Sequence, residues 1–124
     1  YWIQIGRLRE EQLSSGLWIS TAAGSSGAVR SAGGRILPRT SRSLQYLPRE
    51  LYLGRRARYR LPGGVVDPGS EVRVGALMEE GMICLDGEYR TIPFQYGDEL
   101  RIRAAAEPLC FFGGRAGSGR SSVR

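Results

Sequence analysis

The sequence predicts a mainly β domain, an irregular β-sandwich with one short helix after a Gly/Ser turn. Three observations carry this. Short runs of alternating apolar and polar residues recur, as where Val72, Val74 and Ala76 alternate with Glu71, Arg73 and Gly75. Turn chemistry separates them at Asp67-Pro68-Gly69, Asp86-Gly87 and Gly97-Asp98. One stretch of small residues, Ser20 to Gly34, has the composition of a tight turn entering a short helix.

In chain order, Tyr1 to Arg9 carries Tyr, Trp and two Ile in loose alternation and reads as one strand. Ser14, Ser15 and Gly16 form a turn, and Leu17-Trp18-Ile19 is a short apolar strand. A helix is expected over Ser26 to Ala32, with Ser25 or Ser26 as N-cap and Gly33-Gly34 as its stop. Gly34 to Ser43 is loop around Pro38, and Leu44 to Leu53, interrupted by Pro48, reads as an irregular segment followed by a strand. Pro62-Gly63-Gly64 is a break. Strands then follow at Glu71 to Leu77 and Gly81 to Leu85, the latter joined through Asp86-Gly87 to Tyr89 to Phe94 as a hairpin. Leu100, Ile102 and Ala104 alternate with Arg101 and Arg103, and Leu109 to Phe112 is the last apolar strand. From Gly113 the chain has too little apolar surface to offset its ordering entropy, so a domain of residues 1–112 and a disordered basic Gly/Ser tail of 113–124 are expected.

At 124 residues the chain has room for one hydrophobic core. All 18 basic residues are Arg, and Lys, His and Asn are absent, which reads as compositional bias of the genome. Without His, the common zinc sets and the Ser-His-Asp and Cys-His nucleophile systems are excluded, and no metal site is expected. Cys84 and Cys110 sit among apolar neighbours and read as buried reduced thiols, a disulfide requiring that their strands adjoin. The run Arg55, Arg56, Arg58 and Arg60 is a phosphate-binding patch or a solvated strand or loop face; alternation with Ala57 and Tyr59 favours the second. Nothing matches a nucleic-acid-binding module, so no nucleic-acid partner is expected. No run approaches the roughly 20 apolar residues of a membrane span, and no signal-peptide pattern opens the chain. The expectation is no membrane partner and a cytoplasmic location, with an organelle left open. Opening on Tyr1, the chain is expected to be cut from something longer.

The block Ser15 to Gly34 carries the chemistry. A strand running through a Gly/Ser turn into a helix start is a generic anion or ribose site, because first-turn N–H groups lack intrahelical partners. The same small residues also suit a turn packed closely on a neighbouring sheet. The block is no Walker A loop and lacks the G-x-G-x-x-G fingerprint.

Ser20-Thr21, Gly24-Ser25 and Ser31-Ala32-Gly33-Gly34 resemble the strand-turn-helix signature of the NAD kinase family, Ser-Thr-Pro-Thr-Gly-Ser-Thr-Ala-Tyr followed by Ser-Ala-Gly-Gly. Ala22 and Ala23 in place of Pro and Thr are similar to the plant-type NADH kinases, as are Leu44-Gln45-Tyr46 and Arg49-Glu50. Ile83-Cys84-Leu85-Asp86-Gly87 and Gly97-Asp98 resemble the family's closing strands, so the likeness runs from about Ser14 to Phe112.

The resemblance implies the β-rich C-terminal domain of a kinase that moves a phosphoryl group from ATP to the adenosine-ribose 2′-hydroxyl of NAD or NADH. It implies ATP and Mg as cofactors of the full-length enzyme, an N-terminal α/β domain as partner and a homo-oligomer. The family's Gly-Gly-Asp-Gly loop is absent from this sequence, so the catalytic residues are expected upstream of Tyr1 and this piece alone is expected to be inactive. Matching positions put dinucleotide contacts at Ser15, Ser26, Gly27, Ala28, Val29, Arg30, Ser31 and Glu88. Gly27 and Ala28 replace Ala and Tyr, and Ser15 replaces an Asp on the nicotinamide side. These changes leave open a non-catalytic dinucleotide-binding or oligomerisation module, and, more remotely, a related lipid kinase.

Overall fold

A computed structural model describes residues 1–54 and 58–107. The strand expected at 109–112, the tail, Cys110, Arg55 and Arg56 lie outside the described residues. The strands are β1 (Trp2–Ile5), β2 (Leu8–Glu11), β3 (Gly16–Ser20), β4 (Leu44–Arg49), β5 (Gly64–Val66), β6 (Glu71–Gly75), β7 (Met82–Leu85), β8 (Arg90–Pro93) and β9 (Glu99–Arg103). A 3-10 turn at Gly24–Ser26 and a one-turn helix α1 (Ala28–Ser31) stand between β3 and β4. No helix among these residues is long and apolar enough to cross a membrane.

Two antiparallel sheets form the sandwich, β2-β1-β6-β9 and β3-β4-β5, with β7-β8 as a separate ribbon. The architecture is mainly β with one short helix, as the sequence predicts. Ile3, Val72 and Val74 of the first sheet share one buried cluster with Leu44, Tyr46 and Val66 of the second. Leu61, Ala76 and Phe94 complete it. Burying each large aliphatic side chain is worth about 1.5–3 kcal/mol.

Three details depart from the sequence reading. The single strand expected over Tyr1 to Arg9 is two strands, because Gly6 turns the chain back. Its φ of +59° starts a two-residue hairpin turn, and Ile5 pairs with Leu8. Between Leu44 and Leu53 the order is reversed: the strand comes first and the irregular segment after it. Pro48 is tolerated in β4 because it lies past Tyr46, the last residue paired with β5, and needs no partner on that side. The short strand β5, hidden behind Pro62-Gly63-Gly64, was not expected; Val66 gives it a core residue. Arg58 and Arg60 lie exposed outside any strand.

On the first sheet's outer face the Trp2 indole lies over Gly75, its register partner, and the Arg9 guanidinium stands 3.8 Å above the ring. A Cβ at position 75 would overlap indole atoms. Further along that face, Glu99 accepts from Arg73 at 2.7 Å and from Arg101 at 2.8 Å. Such exposed pairs contribute little, about 0–1 kcal/mol.

The open end of the sandwich is closed by polar groups. Glu10, on the core-facing register of edge strand β2, accepts from the backbone N–H of Arg60 at 2.8 Å and of Leu61 at 2.9 Å. Buried Gln12 donates to Glu10 and to the Leu61 carbonyl, both at 2.8 Å. Burial pushes the Glu10 carboxyl up, but the bonds from Arg60, Gln12 and Leu61 outweigh it and hold the group below its ordinary value.

Gly75→Ala is expected to destabilise the fold by about 1–3 kcal/mol through overpacking against Trp2, measured by thermal or urea unfolding. Gly69→Ala, where a Cβ meets open space, should leave the midpoint unchanged. Because the folded-state pKa of Glu10 is lowered, its contribution is fully present above the ordinary glutamate value of about 4.3 and is lost as pH falls through the folded value. Wild type should therefore exceed Glu10→Ala in stability by roughly 1 kcal/mol at neutral pH, and the gap should close below about pH 4.

Candidate functional site

The Gly/Ser turn leaves the second sheet at Ser20 and is held from beneath by buried polar groups. Ser25 is fully buried, at 0% exposure. Its hydroxyl donates to the Ala22 carbonyl at 2.7 Å and accepts from the Leu37 N–H at 2.9 Å, tying both arms of the excursion together. The expected serine N-cap is corrected here: Gly27 precedes α1, with no side-chain cap, because Ser25 is turned inward and Ser26 ends the 3-10 turn. The stop is as expected. Gly33, at φ +97°, donates to Arg30 at 3.0 Å, and Gly34 donates to Val29 at 2.8 Å, a Schellman ending. Beyond it, Gln45 of β4 clamps Arg35, accepting from its N–H at 2.6 Å and donating to its carbonyl at 3.0 Å. A Cβ at Gly34 would overlap Val29 and crowd the Gln45 amide.

This support leaves one side of the turn open. Ser26, Gly27, Ala28, Arg30 and Ser31 are exposed, whereas Val29 is 4% exposed and anchors the helix. Arg30 donates to the Gly34 carbonyl at 3.2 Å. With four residues α1 has only a slight macrodipole, so the turn offers small exposed residues and two serine hydroxyls more than a helix field. The Ser20 hydroxyl, at the end of β3, is buried without a hydrogen-bond partner among the described residues.

The other two expected contacts stand apart from the turn. Ser15 precedes β3, roughly 17 Å of strand from Ser20. Its N–H donates to Arg49 at 3.0 Å and its hydroxyl to the Glu50 carboxylate. Glu50 holds a left-handed φ of +43°. Glu88 is exposed in the Asp86–Tyr89 loop of the β7-β8 ribbon. Next to that loop is a shallow groove of about 550 Å³, lined by Ile19, Cys84, Leu85, Asp86, Tyr89 and Arg90. None of Ser26 to Ser31 lines it. Ile19 faces this groove and the core, while its neighbour Ser20 lies on the face of β3 that carries the turn.

Cys84 is exposed, contrary to the expected buried thiol, because the two-stranded ribbon turns only Ile83 toward the core. Among the described residues no three His, Cys, Asp or Glu side chains converge as a metal site. Sequence reasoning did not single out Gln45 as a support. Its signal is a long amide inside an apolar strand, flanked by Leu44 and Tyr46.

Removing the Ser25 hydroxyl strands the Leu37 N–H and leaves the Ala22 carbonyl only the bond from the Ser25 N–H. Ser25→Ala should cost about 1–3 kcal/mol in unfolding free energy and speed amide exchange at Leu37. Ser26→Ala, on the exposed side, should stay within about 0.5 kcal/mol of wild type.

No protein-family model matches the chain. It is 41% identical over 96 residues to a rice protein (Oryza sativa subsp. japonica) named "Probable NADH kinase", a match covering 77% of this chain and 30% of that protein. It is 38% identical over 100 residues to an Arabidopsis thaliana protein named "NADH kinase", covering 80% of this chain and 31% of that protein. The chain thus spans about a third of the length of these curated relatives. With its β-rich fold and Gly/Ser turn, the chain belongs to the NAD kinase family, on the side of the plant NADH kinases.

Proposed function

We propose that this chain is the dinucleotide-binding part of an NAD(H) kinase, which phosphorylates the adenosine-ribose 2′-hydroxyl of NAD or NADH with ATP. The observation that carries the reading is the identity of 38–41% to proteins named NADH kinase over 77–80% of the chain. In this reading Ser26 and Ser31 offer hydroxyls, and Gly27 and Ala28 let the ligand approach the backbone. Val29 contributes as anchor, and Arg30 supplies positive charge for a phosphate. Ser15 and Glu88 belong to the outer reaches of the same ligand.

Phosphoryl transfer depends on positioning and on charge stabilisation around the metal-bound triphosphate. This sequence contains no Gly-Gly-Asp-Gly, and its described residues gather no metal-binding set. The proposal therefore assigns the base, ATP and Mg to sequence outside this chain, and expects the chain alone to bind without turnover.

Titration of the chain with NAD and NADH by calorimetry tests it. Binding of either is expected, and Ser26→Trp, which fills the open side of the turn without entering the core, should weaken it by at least about tenfold, roughly 1.4 kcal/mol. A wild-type chain that is folded by circular dichroism but binds neither dinucleotide would sink the reading.

A further inference from the structure

One peptide unit links the buried floor of the excursion to its exposed charge. Gln45 lies on β4 opposite Ser20 of β3 and is 4% exposed. Its Oε1 accepts from the Arg35 N–H at 2.6 Å, and its Nε2 donates to the Arg35 carbonyl at 3.0 Å. That N–H shares a planar trans peptide with the Gly34 carbonyl, so the two groups point in opposite directions. With the N–H drawn toward β4, the Gly34 carbonyl is turned away from the sheet. There it accepts from Arg30 Nη1 at 3.2 Å.

The unit has little freedom to lie otherwise. The Gly34 N–H donates to the Val29 carbonyl at 2.8 Å, which fixes the other side of the residue. A Cβ on Gly34 would come within 3.2 Å of Gln45 Nε2 as well as overlapping Val29, so the close approach of the Gln45 amide requires glycine. Hydrogen bonds in such a chain also polarise one another, which makes the Gly34 carbonyl a better acceptor. Arg30 is exposed, and among the described residues its remaining N–H groups make no hydrogen bond or ion pair. Tethering one nitrogen restricts the side chain before a ligand arrives and leaves the rest of the fork for an anion.

We propose that Gln45 is a positioning residue for dinucleotide binding: through the Gly34–Arg35 peptide it directs the Arg30 guanidinium toward a phosphate of the ligand. Gln45 itself touches no ligand. The inference rests on the kinase reading, which supplies the phosphate, and adds to it a buried residue on a different strand.

A double-mutant cycle tests it, using whichever of NAD and NADH wild type binds more tightly. Affinity is measured by calorimetry for wild type, Gln45→Met, Arg30→Gln and the double variant, each folded by circular dichroism. Arg30→Gln is expected to weaken binding about tenfold and Gln45→Met about fivefold, the range of a charge-assisted hydrogen bond. In the Arg30→Gln background, Gln45→Met should have no further effect. Salt should weaken wild-type binding, and both single variants should flatten that dependence alike. A Gln45 that only supports the fold would weaken both backgrounds equally and leave the salt slope of wild type; either result overturns the proposal. Should Gln45→Met not fold, Gln45→Asn takes its place, keeping an amide that is one methylene too short to reach Arg35. If wild type binds and the two effects add, the positioning role fails and the kinase reading stands. If wild type binds neither dinucleotide, the kinase reading fails and the positioning role with it.

Discussion

Between the end of β3 and the start of β4 the chain runs from residue 21 to residue 43 with no strand partner. Its backbone groups need hydrogen bonds from elsewhere, and an exposed turn cannot meet that need from its own open face. Ser25 and Gln45 resolve the conflict. One hydroxyl, bonded to Ala22 and Leu37, joins the outgoing and returning arms, and one amide locks Arg35 to β4. Both side chains are buried, so each bond is made where an unpaired group would be expensive. The small exposed residues above them can then stay open to solvent without loosening the excursion.

The rest of the fold follows the same division between apolar layers and polar closures. The two sheets meet through Ile3, Val72 and Val74 against Leu44, Tyr46 and Val66. The sandwich end, where residues 58–63 pass from the irregular segment into β5, is sealed by Glu10 and Gln12 instead. A carboxylate is suited to that place because it can accept from two successive backbone N–H groups, which no apolar residue could satisfy.

Much of this was legible in the sequence. The alternation of Val72, Val74 and Ala76 located a strand and its buried face, and Asp86-Gly87 and Gly97-Asp98 marked real reversals. Gly33-Gly34 marked the helix stop, and the motif order around it pointed to the family. What could not be read has physical causes. Gly6 bends one apparent strand into two, because a short polar interruption between apolar runs has no periodicity of its own. The inward turn of Ser25 depends on Leu37, twelve residues away, so a local capping rule misassigns it. The exposure of Cys84 follows from the ribbon having only one covered face, which is a matter of tertiary neighbours. Ser15 and Glu88 are separated from the turn by strand length and by the two faces of β3, a separation linear motifs do not encode.

The placement of Trp2 over Gly75 and of Trp18 on the opposite sheet has a spectroscopic consequence. Each indole is the outward neighbour of a core residue, Ile3 in one case and Ile19 in the other, and each has an arginine over its ring, Arg9 and Arg49. The protein therefore carries one tryptophan per sheet, each beside its own cation. With either tryptophan replaced by phenylalanine, emission would follow the loosening of a single sheet, so the two layers could be watched separately as the sandwich comes apart.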